Sequence, residues 1–176
     1  LVSQVSDAQN NTTAGSNAGD SFTGTDANGN TLIGKDAGTA VTTGDYNVAL
    51  GLYALDATTT ASNNTSIGTS SLGANITGAD NVALGSSALA ANTTGDSNTG
   101  IGRFALKENT TGNANVSVGA NALDANTTGT MNIAVGNGAL SSNTTVDGNV
   151  AIGHVALELN TTGSRNVAVG KGALSA

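Results

Sequence analysis

From residue 30 onward, aliphatic and polar residues follow one fixed frame, N-V-A-I-G-x-x-A-L-x-x-N-T-T-G-x-x, which returns every 17 residues. Its leading asparagine recurs at Asn30, Asn47, Asn64, Asn81, Asn98, Asn115, Asn132, Asn149 and Asn166, with no insertion or deletion between them. A constant period of this size predicts stacked coils, one repeat to each turn of a solenoid. Positions 2 and 4 hold pairs such as Val48 and Leu50, Val82 and Leu84, or Val150 and Ile152, and position 3 between them is usually small, as in Ala49, Ala83 and Ala151. That period of two predicts a short strand whose aliphatic pair projects to one face. Position 5 is glycine in all nine repeats, from Gly34 to Gly170. A strand is expected to end there, where the backbone needs a positive φ or a corner that a Cβ would block.

The expected fold is therefore all-β, a parallel β-solenoid (β-roll) of 17-residue coils over residues 30–176, the last repeat reaching only its eleventh position. Residues 1–29 lie outside the frame and are assigned to an irregular N-terminal cap or junction, in which Asn11-Thr12-Thr13-Ala14-Gly15 echoes the repeat's turn. Departures within the frame are few. Gly38 and Val41 stand where leucine and asparagine are expected, so the first coil should be the loosest. Thr58 replaces asparagine, and Ala61 and Val146 replace glycine, so those turns should be rearranged.

Charge indicates which parts of the coil meet water. Every charged residue within the repeats, from Lys35 and Asp36 to Arg165 and Lys171, falls at position 6, 7, 10, 11, 16 or 17. Ionised groups are rarely buried unpaired, so these three pairs of positions are expected to be turns or edges of a three-sided coil. The large aliphatics available for burial in each repeat are those at positions 2, 4 and 9, as in Val82, Leu84 and Leu89. That is little for a single thin roll, which makes oligomerisation the structural expectation.

Two polar columns follow from stacking. At about 4.8 Å between coils, equal residues lie over one another, so the leading asparagines and those at position 12 (Asn75, Asn92, Asn109, Asn126, Asn143, Asn160) can form hydrogen-bonded files. Several also match glycosylation acceptors, a match that repetition explains more simply. Thr43, Thr60, Thr77, Thr94, Thr111, Thr128, Thr145 and Thr162 make a threonine file, and a second runs beside it at position 13. With Tyr53, Phe104 and Val155 at position 7, the first file is the candidate contact face. About ten coils would make a rod of roughly 45 to 50 Å.

Composition narrows the chemistry. A net charge of −7 with five Lys and Arg offers no basic stripe for nucleic acid. No apolar run approaches the roughly 20 residues of a membrane-spanning helix. There is no cysteine, hence no disulfide or thiolate chemistry. His154 sits at variable position 6 and is expected on the surface, with no partner that would make it a catalytic base. Asp26-Ala27-Asn28-Gly29-Asn30 resembles the opening of a calcium loop, but Thr31 and Ala37 stand where that loop needs glycine and a bidentate acid. No cofactor, metal or catalytic residue is expected.

The core Asn149-Val150-Ala151-Ile152-Gly153 resembles the repeated strand of the head domains of trimeric autotransporter adhesins. The longer unit, Asn160-Thr161-Thr162-Gly163 followed by Asn166 to Leu174, is similar to repeats of phage tail fibre-type surface proteins. The resemblance covers residues 30–176 and implies a left-handed parallel β-roll that assembles as a trimer, although the period of 17 is longer than is usual in adhesin heads. It defines no ligand-binding residue. The expected function is that of a structural or adhesive segment of an extracellular, cell-surface or virion fibre, with no catalysis. It would associate with itself as a homotrimer or end-to-end polymer, through uncharged faces or ends, with a cell-surface or solid-surface ligand as a further partner. Nucleic acid and membrane insertion are not expected. The alternative is an ice-binding protein that works through the stacked threonines.

Overall fold

The computed structural model describes residues 5–6, 9–22 and 26–175. Eleven short strands form one sheet in strict chain order: β1 (Val5–Ser6), β2 (Thr12–Ala14), β3 (Thr31–Ile33), β4 (Val48–Leu50), β5 (Thr65–Ile67), β6 (Val82–Leu84), β7 (Thr99–Ile101), β8 (Val116–Val118), β9 (Ile133–Val135), β10 (Val150–Ile152) and β11 (Val167–Val169). From β2 onward every pairing is parallel, whereas β1 runs antiparallel to β2. Val82 stands beside Thr99, and Leu84 beside Ile101, so each 17-residue unit is one full turn. The chain is thus a parallel β-solenoid, with no helix among the described residues.

The frame begins earlier than the sequence suggests. Thr12 pairs with Thr31, Asn11 Oδ1 accepts the Asn30 amide at 2.8 Å, and Gly15 has a φ of 130°, like the strand-ending glycines. Asn11–Gly15 is therefore a strand and its corner rather than an echo of the turn. The coil that follows it is 19 residues long, and two extra residues hide it from a search at period 17.

Only one side of each coil is a strand; the rest is turns, still laddered through the backbone. Leu89, Ala91 and Thr93 donate forward to the carbonyls of Ala105, Lys107 and Thr110 at 3.0, 2.9 and 2.9 Å. Gly85, Ser87 and Ser97 donate back to Ile67, Thr69 and Ala79 at 2.8, 2.9 and 3.0 Å. Position 5 must be glycine for a reason beyond φ: a Cβ on Gly85 would lie 2.6 Å from the carbonyl oxygen of Gly102 in the next coil.

The strand faces the opposite way from the one that burial of positions 2 and 4 would require. In β4, β6 and β10 the central alanine is buried while its aliphatic neighbours point outward. The core is instead a narrow seam of Ala at positions 3 and 8 and Leu at position 9, including Ala83, Ala88 and Leu89, all at 0% exposure. The roll is too thin to take a large residue on both sides of the seam. Each leucine enters it from a left-handed conformation, with φ of 52° at Leu89 and 50° at Leu123. Such a φ costs about 1 kcal/mol or more for a residue with a Cβ, so its recurrence reflects what the buried side chain returns.

The first coil is not loose. Leu32 replaces the small residue at position 3, and its Cδ1 lies 2.7 Å from where a Cβ on Gly38 would be. Large and small have changed places across the seam, and Leu32 is wholly buried. Nor are the corners at Ala61 and Val146 rearranged: their carbonyls accept from Asn47 and Asn132 at 2.9 and 2.8 Å, as the glycine carbonyls do elsewhere.

Candidate interaction surfaces

Two buried amide files lie on either side of one corner. The Asn98 backbone N–H donates to Asn81 Oδ1 at 2.9 Å, while Asn81 Nδ2 reaches the Gly95 carbonyl at 2.8 Å. From the other side, Asn92 Nδ2 donates to the same carbonyl at 3.0 Å and to Asn75 Oδ1 at 2.9 Å. Both files repeat through Asn98, Asn109 and Gly112, then Asn115, Asn126 and Gly129. Among the ladder residues, Asn30, Asn47, Asn64, Asn81, Asn98, Asn115, Asn132 and Asn149 are at 0% exposure, so the acceptor-like sequences at Asn64 and Asn115, like that at Asn92, are out of reach of solvent. Thr58 continues the second file, accepting from Asn75 Nδ2 at 3.3 Å. At the last complete turn Asn160 bonds its own Gly163 carbonyl at 2.8 Å, and Asn143 Oδ1 and Asn149 Nδ2 are left buried without partners.

A third polar file, at position 16, escaped sequence reasoning. Asp96 Oδ1 accepts the Ala79 N–H at 2.8 Å, Asn113 Oδ1 that of Asp96 at 2.6 Å, and Asp147 Oδ1 that of Thr130 at 2.6 Å. These side-chain oxygens close the backbone ladder where it turns. The signal was the choice of Asp, Asn, Ser or Thr at this position in every repeat but that of Ala79.

The two threonine columns differ. At position 13, Thr93, Thr110 and Thr127 each donate Oγ1 to the backbone carbonyl of the next coil at 3.0 Å. At position 14, all eight threonines of the candidate contact face are exposed, from Thr43 to Thr162. Tyr53, Phe104 and Val155 come seven positions earlier in the frame, before the turn that buries Ala and Leu at positions 8 and 9. They stand beside the position-6 column, whose cations approach two of them: Lys35 lies 5.3 Å from the Tyr53 ring and Arg103 lies 4.0 Å from the Phe104 ring. His154 is exposed in that same position-6 column.

The outer face of the sheet is an apolar surface. Leu50, Leu84 and Ile152 are 46%, 44% and 41% exposed, and Ile33, Ile67, Ile101, Val118 and Val135 line the same file half-buried. Beside it run Val48, Val82, Val116, Ile133 and Val150, with threonine at Thr31, Thr65 and Thr99 and no charge anywhere.

Electrostatic perturbations are confined to turns. Burial pushes the carboxyls of Asp56 and Asp124 above the usual aspartate value. The Lys35 ammonium, 2.7 Å from Asp36, holds that carboxyl below it and is itself raised. No cluster of three or more His, Cys, Asp or Glu that could hold a metal ion occurs among the described residues, and Asp26 is exposed.

Comparison with protein-family models, curated proteins and solved structures returns no match.

Proposed function

We propose that the chain is a structural, non-catalytic segment of an extracellular or virion-borne fibre, whose copies associate side by side through the aliphatic face of the sheet. The observation that carries this reading is the outward direction of positions 2 and 4. Nine rungs at about 4.8 Å, by about 10 Å across, make an uncharged strip on the order of 400 Å² in projection. The largest apolar patch on a monomer is of about this size and is often functional. A second copy with the same rung spacing fits it without a step. The small seam inside the roll is a further reason for the fold to gain apolar burial from a neighbour. The motif at Asn149–Gly153 and its likeness to adhesin heads and tail fibre repeats supply the rest of the proposal: a left-handed roll, three copies, and an adhesive or spacer role at a surface.

Sedimentation equilibrium of the wild type and of a Leu84→Asp/Ile152→Asp double variant tests the reading. Both residues point outward, so the coil should survive, as read by far-UV circular dichroism. The wild type is expected at a multiple of 16.9 kDa and the variant at 16.9 kDa. A wild type that stays monomeric up to about 100 μM would refute the proposal, because association weaker than that is not a structural contact.

A second reading, ice binding, is favoured by the eight exposed threonines in register at position 14. It predicts thermal hysteresis from a monomeric chain, abolished by lysine at Thr94, Thr111 and Thr128.

A further inference from the structure

The sheet face is bordered by two columns of opposite sign. Before each strand come positions 16 and 17, with Asp45, Asp80, Asp96 and Asp147 and one cation, Arg165. After it comes position 6, with Lys35, Arg103, His154 and Lys171 and no acid, the nearest being Asp36 at position 7. Arg103, His154, Lys171, Asp80, Asp96 and Asp147 are exposed. Among the described residues the ion pairs are Lys35 with Asp36 and Lys107 with Glu108, so none of those six is ion-paired within its own chain. Asp96 and Asp147 each use Oδ1 to hold a backbone N–H, which leaves Oδ2 for an outside partner.

We infer that this charge segregation sets the direction of the assembly proposed above: neighbouring copies run parallel and in register, the acidic edge of one against the basic edge of the next. The inference rests on that reading and adds orientation and contacts to it. Any rotation about an axis along the rod turns the acidic border of one copy toward the basic border of its neighbour. On rung β7 this sets Asp96 against Arg103, and on rung β10 it sets Asp147 against His154. Rung β11, where Arg165 would meet Lys171, is the exception. A copy turned end for end instead lays like on like: centred on β7, Asp45 meets Asp147, Lys35 meets Lys171, and Arg103 meets its own copy. Juxtaposed like charges oppose association and select against the wrong partner.

The chain has no cysteine, so spin labels on cysteines introduced singly at the exposed Thr60 and Thr162 report orientation without ambiguity. These sites are six coils apart, or about 29 Å along the stack. Pulsed electron resonance on oligomers of each labelled chain, and on their mixture, should show like-site pairs closer than the mixed pair. Arg103→Glu should weaken association about tenfold at low salt, and the difference should shrink in about 1 M salt. A mixed pair closer than the like-site pairs would overturn the direction while leaving side-by-side association intact. Association unchanged in Arg103→Glu would overturn the charge contact. A monomeric wild type would remove both this inference and the reading beneath it.

Discussion

Replacing Asn92 by alanine should break the position-12 file at its centre. The Asn92 amide donates to Asn75 Oδ1 at 2.9 Å and to Gly95 O at 3.0 Å, and its Oδ1 accepts from Asn109 Nδ2 at 2.8 Å. Two of the groups left behind keep another bond: Gly95 O retains Asn81 Nδ2 at 2.8 Å, and Asn109 Nδ2 retains Gly112 O at 3.0 Å. Asn75 Oδ1 keeps none of those shown and lies at a residue with 0% exposure. Three bonds at about 1 kcal/mol each, plus about 1 to 2 kcal/mol for one stranded acceptor, give a loss of about 4 to 5 kcal/mol. Thr58 indicates how much a smaller group recovers, because its Oγ1 donates to Asn75 O at 2.9 Å and accepts from Asn75 Nδ2 at 3.3 Å. Asn92→Thr can remake those two bonds toward Asn109 and should cost only about 2 to 3 kcal/mol. Urea unfolding followed by circular dichroism gives both values, and hydrogen exchange at Thr93 to Gly95 localises the effect. An alanine variant within about 1 kcal/mol of wild type, or a threonine variant no better than alanine, would refute the idea that these amides hold the corner.

Other expected outcomes follow from single contacts. Leu32→Ala should cost about 2 to 5 kcal/mol by opening a cavity, and Gly38→Leu should be poorly tolerated because its Cβ meets Leu32 Cδ1 at 2.7 Å. The double variant restores the arrangement of the other coils, so a thermal-unfolding cycle should show coupling of at least about 2 kcal/mol; additive losses would refute the exchange across the seam. Gly85→Ala should lose about 3 kcal/mol or more, since its Cβ would sit 2.6 Å from Gly102 O at a φ of 137°, and a melting temperature equal to wild type would contradict the close approach. Asp124 binds its proton more readily folded than unfolded, because burial opposes its charge. Its contribution to stability therefore falls as pH rises from the ordinary value of 3.8 through the raised folded value. Asp124→Asn should melt higher than wild type at pH 7 and lose that advantage in acid, whereas a lower melting temperature at pH 7 would reverse the sign.

The stack, its register and the glycine corner are legible because each needs one residue type at one place in every turn. Alternation at positions 2 to 4 is weaker evidence: it says that Val82 and Leu84 share a face, but not which face. The deciding clue was size. Ala83 and Ala88 are small together with a single large Leu89, a set that fills a narrow seam once, and the large pair then has to point out. Leu32 and Gly38 depart from the frame in the same repeat, and only their contact shows that one compensates the other. Asn11 was hidden by two residues of insertion. The carboxylates at position 16 looked like solvated charge because a sequence does not show which backbone N–H a turn leaves unpaired.

Wherever a side-chain amide of either asparagine file donates to its neighbour in the file, the later coil donates to the earlier, as Asn109 does to Asn92 and Asn132 to Asn115. Amide dipoles aligned head to tail add, as they do along a helix, and these lie in an interior that water does not screen. The aligned amides therefore give the rod a weakly electropositive end toward Asn11 and a weakly electronegative one toward Asn166, so an anion is better placed at its start and a cation at its finish.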